Sequence, residues 1–320
     1  MNNNRTGIIL SYLTIYFVWG STYLGIKWAV ETIPPFYLVG FRFISGGIVF
    51  IIISIAAGKV KKFPEWRELS SALFLGVFLL LLGNGFITWA EERVDSYLAS
   101  LVVSSTPFCI AFFNWILFKE KLSPVRLAGM LMGVLGVGLI LQSGSSTFSF
   151  SFHLGLILIG FICWSFATSM GHKLPVHKNN LFNSGMQMLF VGIIALILSY
   201  FIYKPLPVII PDISIRSWGG LIYLSVFGAA GFYAYNYLLV NEPAIRISSY
   251  AIVNPLIAVL LGVFAGNEKP TMMLFIGMPV ILGSLICMMY GETLISLFRN
   301  KPLAEAIISD DNFDAAITED

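Results

Sequence analysis

Charge is scarce in this chain. Lys and Arg number 19 and Asp and Glu 17 among 320 residues, 11% in all. Soluble domains carry about 25%. Hydrophobic residues make up 57%, and mean hydropathy is +0.84. This deficit excludes a water-soluble globule of this size. Cysteine and histidine are scarce too. Cys109, Cys163 and Cys287 each sit in an apolar run, with no Cys-x-x-Cys or Cys/His cluster, which leaves disulfide frameworks and structural metal without support. His153, His172 and His177 fall at or beyond helix ends without ligand spacing, so they read as interfacial residues and no metal is expected. A Gly-x4-Gly-Lys-Ser/Thr loop is absent, so no ATP drive within this chain and no cofactor is expected. Paired aspartates or a His-rich site inside a span, which an intramembrane enzyme needs, are absent as well. The chain reads as no enzyme, with no catalytic residues and no nucleic-acid partner.

What it does have is apolar runs of roughly 20 residues, each matching the hydrocarbon thickness of a bilayer. They do not alternate as barrel strands would, so the class is an all-α integral membrane protein. Ten spans are predicted: 7–30, 36–57, 69–90, 96–118, 124–142, 153–173, 181–203, 214–239, 244–266 and 271–291. The first run resembles a signal peptide, but it is too long and lacks a small-residue cleavage site. Spans one to five fill 1–142, residues 143–152 form a Ser- and Phe-rich linker, spans six to ten fill 153–291, and 292–320 is a polar tail expected to be disordered and cytoplasmic.

Lysine and arginine in the loops set the orientation. With the N-terminus inside, the inner segments hold thirteen: Arg5, Lys59, Lys61, Lys62, Arg67, Lys119, Lys121, Arg126, Lys173, Lys178, Arg246, Arg299 and Lys301. The outer side holds five: Lys27, Arg93, Lys204, Arg216 and Lys269. Both termini are therefore expected to be cytoplasmic; the expected setting is the plasma (inner) membrane of a prokaryote, with the lipid bilayer as a partner.

Pro107, Glu120, Lys121 and Gly129 return as Pro255, Glu268, Lys269 and Gly277, shifted by 148 residues. The shift spans five helices, an odd number, so the second copy enters from the opposite face. Two inverted five-helix repeats follow, the usual basis of alternating access. Trp19 and Trp164, 145 residues apart, sit mid-span in the first helix of each repeat.

The segments Val18-Trp19-Gly20-Ser21-Thr22-Tyr23 and Phe41-Arg42-Phe43, with Pro107 through Glu120 to Gly129, resemble the EamA-type transporters of the drug/metabolite transporter superfamily. The resemblance covers roughly 5 to 290. It implies ten helices as two inverted repeats around a central cavity, and transport of small metabolites, often export of amino acids or related compounds. The second half departs from the first: Gln187 maps to Arg42, and Cys163-Trp164-Ser165-Phe166 replaces Trp-Gly-Ser-Thr.

Candidate cavity residues are Trp19 and Tyr23 on span one, Asn84 and Thr88 on span three, Trp164, Ser165 and Ser169 on span six, and Tyr235 on span eight. For each, helix packing is the competing reading; hydroxyls also bond across helices or to their own backbone. Pro107 and Pro255 are expected to kink their helices. Glu120-Lys121 and Glu268-Lys269 read as polar anchors at helix ends. Lys27 and Arg42 are the charges inside spans, with either a structural pairing or a substrate role. No Asp or Glu lies well inside a span, which favours facilitated diffusion or exchange over carboxylate-based coupling. The leading function is a secondary exporter of small metabolites. The alternatives are an uptake carrier or exchanger of the same superfamily and, from another class, a channel or lipid scramblase.

Overall fold

The computed structural model describes residues 2–141, 151–203, 212–269 and 272–298. Among the described residues there are ten consecutive helical segments and no strand. α1 covers 2–29, with a π-helical turn at Ile15–Trp19. α2 is Pro35–Ala56. α3 is Trp66–Ala90, π-wound over Gly76–Gly85. α4 is Ser96–Phe118, broken at Ser104 and Ser105, and α5 is Pro124–Leu141. α6 is Phe152–Gly171 and α7 is Asn180–Tyr203. α8 covers 215–241, with a π turn at Leu224–Gly228. α9 is Ala244–Phe264, interrupted at Ser248 and Ser249, and α10 is Met272–Phe298.

Eight of these hold a stretch long and apolar enough to cross a membrane, and α5 carries a shorter apolar stretch, Pro124–Gly136. The molecule is an all-helical integral membrane protein. α10 runs past the expected end of the tenth span at 291. The expected tail from 299 onward and most of the expected linker 143–152 lie outside the described residues; Ser151 and Phe152 cap and begin α6.

Local chemistry sets the helix ends. Pro35 opens α2 at its first helical position, where a missing N–H costs nothing. Gly58 (φ 63°) closes α2, with its own N–H on Ile55 O and that of Lys59 on Ser54 O, a Schellman ending. Glu65 and Glu68 cap the start of α3 reciprocally. Ser151 and Ser214 accept backbone N–H groups at the starts of α6 and α8.

The described helices form two compact units: residues 1–113 with 149–270, and residues 114–148 with 271–320. Each unit takes helices from both sequence repeats. In the second, Gly129 on α5 lets α10 approach until a Cβ there would lie 2.9 Å from Met288 N.

In the first unit, α1 packs on α8 and α3 on α6; α1 meets α9 and α4 meets α6; α2 packs on α7. Exchanging the two repeats leaves these pairings unchanged, as a pseudo-two-fold axis between α2 and α7 requires. The crossing itself obeys the exchange. A Cβ on Gly47 would lie 2.9 Å from Gly185 O, and one on Gly185 would lie 3.1 Å from Gly47 O. Gly40 and Gly192 face each other in the same way. These four glycines sit at the 145-residue shift, 40 with 185 and 47 with 192. Small residues here let the backbones touch, the way membrane helices gain packing energy.

The Glu-Lys repeat also has a common local structure. Lys119 and Asn267 both adopt left-handed backbone, φ 57° and 53°. Each precedes its glutamate, whose N–H then reaches a carbonyl six residues back, Asn114 O or Gly262 O. Glu268 goes on to cap α4, accepting from Ser96 N at 2.8 Å and Tyr97 N at 3.3 Å. Asp95 offers α4 no side-chain cap, so Glu268 supplies the acceptor from a distant part of the chain. Glu120 accepts from Asn114 Nδ2 at 3.0 Å.

Pro107 is the second residue of the helix that resumes at Thr106 after the break in α4. Pro255 lies inside the continuous helix Tyr250–Phe264, more than a turn beyond the interruption at Ser248 and Ser249.

Candidate functional site

A cavity opens in the first unit among α1, α2, α3, α4, α6, α8 and α9. It contains about 740 Å³ of atom-free space, counting the open part at its mouth. α1 contributes Trp19, Thr22, Tyr23 and Ile26; α2 contributes Arg42 and Phe43. Leu80, Asn84 and Ile87 face it from α3, Val103 from α4, and Phe161 and Trp164 from α6. Leu224, Gly228 and Phe232 of α8 and Tyr250 of α9 complete the wall.

The wall is built around two tryptophans in contact. Trp19 and Trp164 meet edge to face, with ring centroids 5.3 Å apart. Tyr250 stands edge-on to Trp19 at 5.1 Å, and Tyr235 packs behind both indoles at 5.0 and 5.1 Å. Aromatic pairs of this kind add about 0.5–1.5 kcal/mol each beyond area burial. Two glycines make room. A Cβ on Gly83 of α3 would press on Trp164 Cε3 at 3.1 Å, and one on Gly231 of α8 on Trp19 Nε1 at 2.6 Å. Gly83 and Gly231 stand at the 148-residue shift. Each repeat's tryptophan therefore rests on the other repeat's glycine.

Four of the eight residues singled out from the sequence, Trp19, Tyr23, Asn84 and Trp164, line the cavity. The other four lie outside its wall. Thr88 is fully buried beside it, bonded to Asn84 O at 2.8 Å and approached by Arg42 at 3.4 Å. Ser165 gives its hydroxyl to Phe161 O at 2.7 Å and also lies 3.3 Å from Thr106 O. Ser169 faces Ile110 O at 3.5 Å, and Tyr235 is fully buried with its hydroxyl on Thr168. Their hydrogen bonds return to their own helix or join it to a neighbour. The sequence pattern did not single out Thr22, Phe43, Phe232 or Tyr250.

Charge gathers at one end of the cavity. Arg42 is 3% exposed, faces the cavity, and has Phe43 under its guanidinium at 4.5 Å. Its contact with Thr88 is long and its Nε has no partner. Lys27 points its ammonium to two carbonyls, Glu91 O and Val94 O, at 2.9 Å each. These lie at the C-terminal end of α3, where a cation complements the helix dipole. Glu91, one residue past α3, is 0% exposed, and neither carboxylate oxygen has a hydrogen-bond partner. Burial pushes its carboxyl well above the usual carboxylate range; Glu268 adds to the rise, while Lys27 and Arg42 oppose it. Among the described residues no cluster of His, Cys, Asp and Glu has metal-holding geometry.

A family profile described as the EamA-like transporter family matches residues 5–142 and again 151–290. The chain belongs to that family. Its two matched segments coincide with the repeats whose helices exchange in the packing. The chain is 33% identical over 300 residues to the uncharacterised inner membrane transporter YedA of Escherichia coli K12, covering 92% of this chain and 94% of YedA. It is 25% identical over 282 residues to an uncharacterised transporter of Archaeoglobus fulgidus, covering 86% and 95%. A solved crystal structure covers 88% of this chain and 96% of its own, with TM-score 0.64 and 22% identity; it shows the fold. This EamA-family member is a membrane transporter.

Proposed function

We propose that this EamA-family transporter is a secondary carrier working by alternating access. Its substrate is a small metabolite bearing a carboxylate, amino acids and related compounds among them. The observation that carries this reading is Arg42: a buried cation with an unpartnered Nε, on the wall of an otherwise aromatic and aliphatic cavity. A guanidinium pairs with carboxylates in two-pronged fashion, while the apolar wall takes the rest of the molecule. The exchange of helices between repeats supports alternating access.

The plasma membrane of a prokaryote is the proposed location, supported by the similarity to the inner membrane transporter YedA, with both termini cytoplasmic on the loop lysines and arginines. A single cysteine replacing Val60 should react only with reagent added from the cytoplasmic side. The family resemblance favours export. Uptake is the second reading, favoured by the buried, unpartnered Glu91 carboxylate beside Lys27 and Arg42, since a proton that crosses with an anion drives accumulation inside.

Counterflow tests the carrier itself. Proteoliposomes preloaded with an amino-acid and monocarboxylate mixture should accumulate the labelled species transiently and saturably. Absence of counterflow across that panel, with free passage of ions, would point to a channel.

The tryptophan pair is proposed as part of the substrate wall. Trp164→Ala should cut counterflow at least about tenfold, the effect of some 1.4 kcal/mol. Trp218→Ala, at a half-exposed site outside the cavity, should stay within about twofold at equal expression. Equal, small effects at both sites would remove Trp164 from the substrate path.

A further inference from the structure

The charges that the first repeat places at the cavity's end, Lys27, Arg42 and Glu91, have no counterpart in the second. At the 145-residue shift, Lys27 maps to His172 and Arg42 to Gln187; at the 148-residue shift, Glu91 maps to Leu239. Both shifts are the ones the packed residues obey, Trp19 with Trp164 and Gly83 with Gly231. Even the neighbouring polar contact is kept: Gln187 reaches Asn236 at 3.5 Å as Arg42 reaches Thr88 at 3.4 Å. The second repeat thus carries the same frame with the charges taken out. Its His172 is held neutral, since burial first and Lys173 second bring its pKa down to about 4.

Glu91 is the anomaly in the charged end. It caps the C-terminus of α3, where the helix dipole disfavours an anion. Both its oxygens are buried and unpartnered. Lys27 and Tyr23 face it from α1, Arg42 from α2, and Glu268 from the turn before α10. Lys27 directs its hydrogen bonds to carbonyls, and Glu268 directs its own to the start of α4. Tyr97, at the start of α4, meets Glu268 through its N–H.

The charge count is balanced in one state of Glu91 and leaves an excess positive charge in the other. With Glu91 ionised, the two cations meet two carboxylates. With Glu91 protonated, Lys27 and Arg42 face Glu268 alone, and one positive charge is left for whatever occupies the cavity at Arg42. In a low-dielectric site an anionic ligand and an ionised Glu91 compete for that charge.

We propose that Glu91 takes up one proton for each anionic group that occupies Arg42, so that substrate and proton cross the membrane together. The proton comes from the aqueous phase on the loading side and goes onto a Glu91 carboxylate oxygen. It leaves on the other side when the anion departs and Glu91 again balances Arg42. Binding linkage is reciprocal, so low pH on the loading side raises affinity for the anion. This inference rests on the carrier reading above.

The test uses the full chain in proteoliposomes, with a radiolabelled mixture of amino acids and monocarboxylates as probe. Counterflow and accumulation driven by an alkaline interior are measured on the same vesicles. With one proton per substrate, a gradient of one pH unit supports accumulation of up to about tenfold. The expected result is accumulation in the wild type and loss of that accumulation in Glu91→Gln, expressed relative to counterflow. Glutamine copies the shape of a protonated carboxyl but cannot titrate, so the variant is fixed in the neutral form. Glu91→Asp, which still titrates, should keep a response to the pH gradient.

Counterflow with no response to the gradient in the wild type would overturn the proposal alone. So would undiminished accumulation in Glu91→Gln. Absence of counterflow in the wild type would sink the carrier reading, and this inference with it.

Discussion

Leucine at Gly47 is expected to leave no monodisperse protein in a detergent extract. A Cβ there would lie 2.8 Å from Leu189 N and 2.9 Å from Gly185 O. Both are backbone atoms of α7, so no side chain can turn aside to relieve the contact. The helices must separate, and the reciprocal approaches at Gly40, Gly185 and Gly192 are lost with them. Overpacking a tight core costs about 1–3 kcal/mol for a few extra methylenes, and folded proteins hold only about 5–15 kcal/mol in reserve. Gly47→Ala should lower the melting temperature by several degrees, in line with about 1–2 kcal/mol. Gly219→Ala is the control, because nothing lies within 4 Å of a Cβ at that position. Size-exclusion profiles and thermal melts check all three. A sharp peak at wild-type yield for Gly47→Leu would mean that α2 and α7 do not pack at this distance.

Much of this architecture is legible in the sequence because duplication keeps residue identities at fixed spacing. Pro-x12-Glu-Lys-x7-Gly and the pair Trp19 and Trp164 identify two copies, and counting spans between them makes the copies inverted. The glycines that complete the arrangement obey the same shifts but do not stand out, since glycine is common in membrane helices. Only the close approach of α2 to α7 shows why positions 40, 47, 185 and 192 are paired. The polar stripe of α6 is legible as a stripe, yet its depth is not. Ser165 and Ser169 turn toward carbonyls of their own helix and of α4, whereas Trp164, a neighbour in sequence, reaches the cavity. Glu91 is the largest difference. It falls just past an apolar run, as loop carboxylates do, and hydropathy places it in water. Lys27 from α1 and the Glu268 turn close over it, and those contacts come from residues 64 and more positions away in the chain.

Arg42→Gln should weaken carboxylate transport through affinity. The substitution writes into the first repeat what the second already has at Gln187, so the frame accepts the shape. Arg42 makes one long hydrogen bond, to Thr88, and glutamine can keep a contact there as Gln187 does with Asn236. What disappears is the only cation on the cavity wall among the described residues. Truncating one partner of a buried charge pair costs about 2–5 kcal/mol; at the lower bound, KM for a carboxylate in counterflow rises about thirtyfold. The melting temperature should change little, because Glu91 can take up a proton once its neighbouring cation is gone. Arg42→Lys should rescue only in part, since an ammonium offers a point charge in place of a planar fork. A fall in maximal rate with KM unchanged would make Arg42 a moving part of the carrier rather than a ligand for the anion. Wild-type KM for every carboxylate tested would remove the guanidinium from substrate recognition, and with it the proposed substrate class.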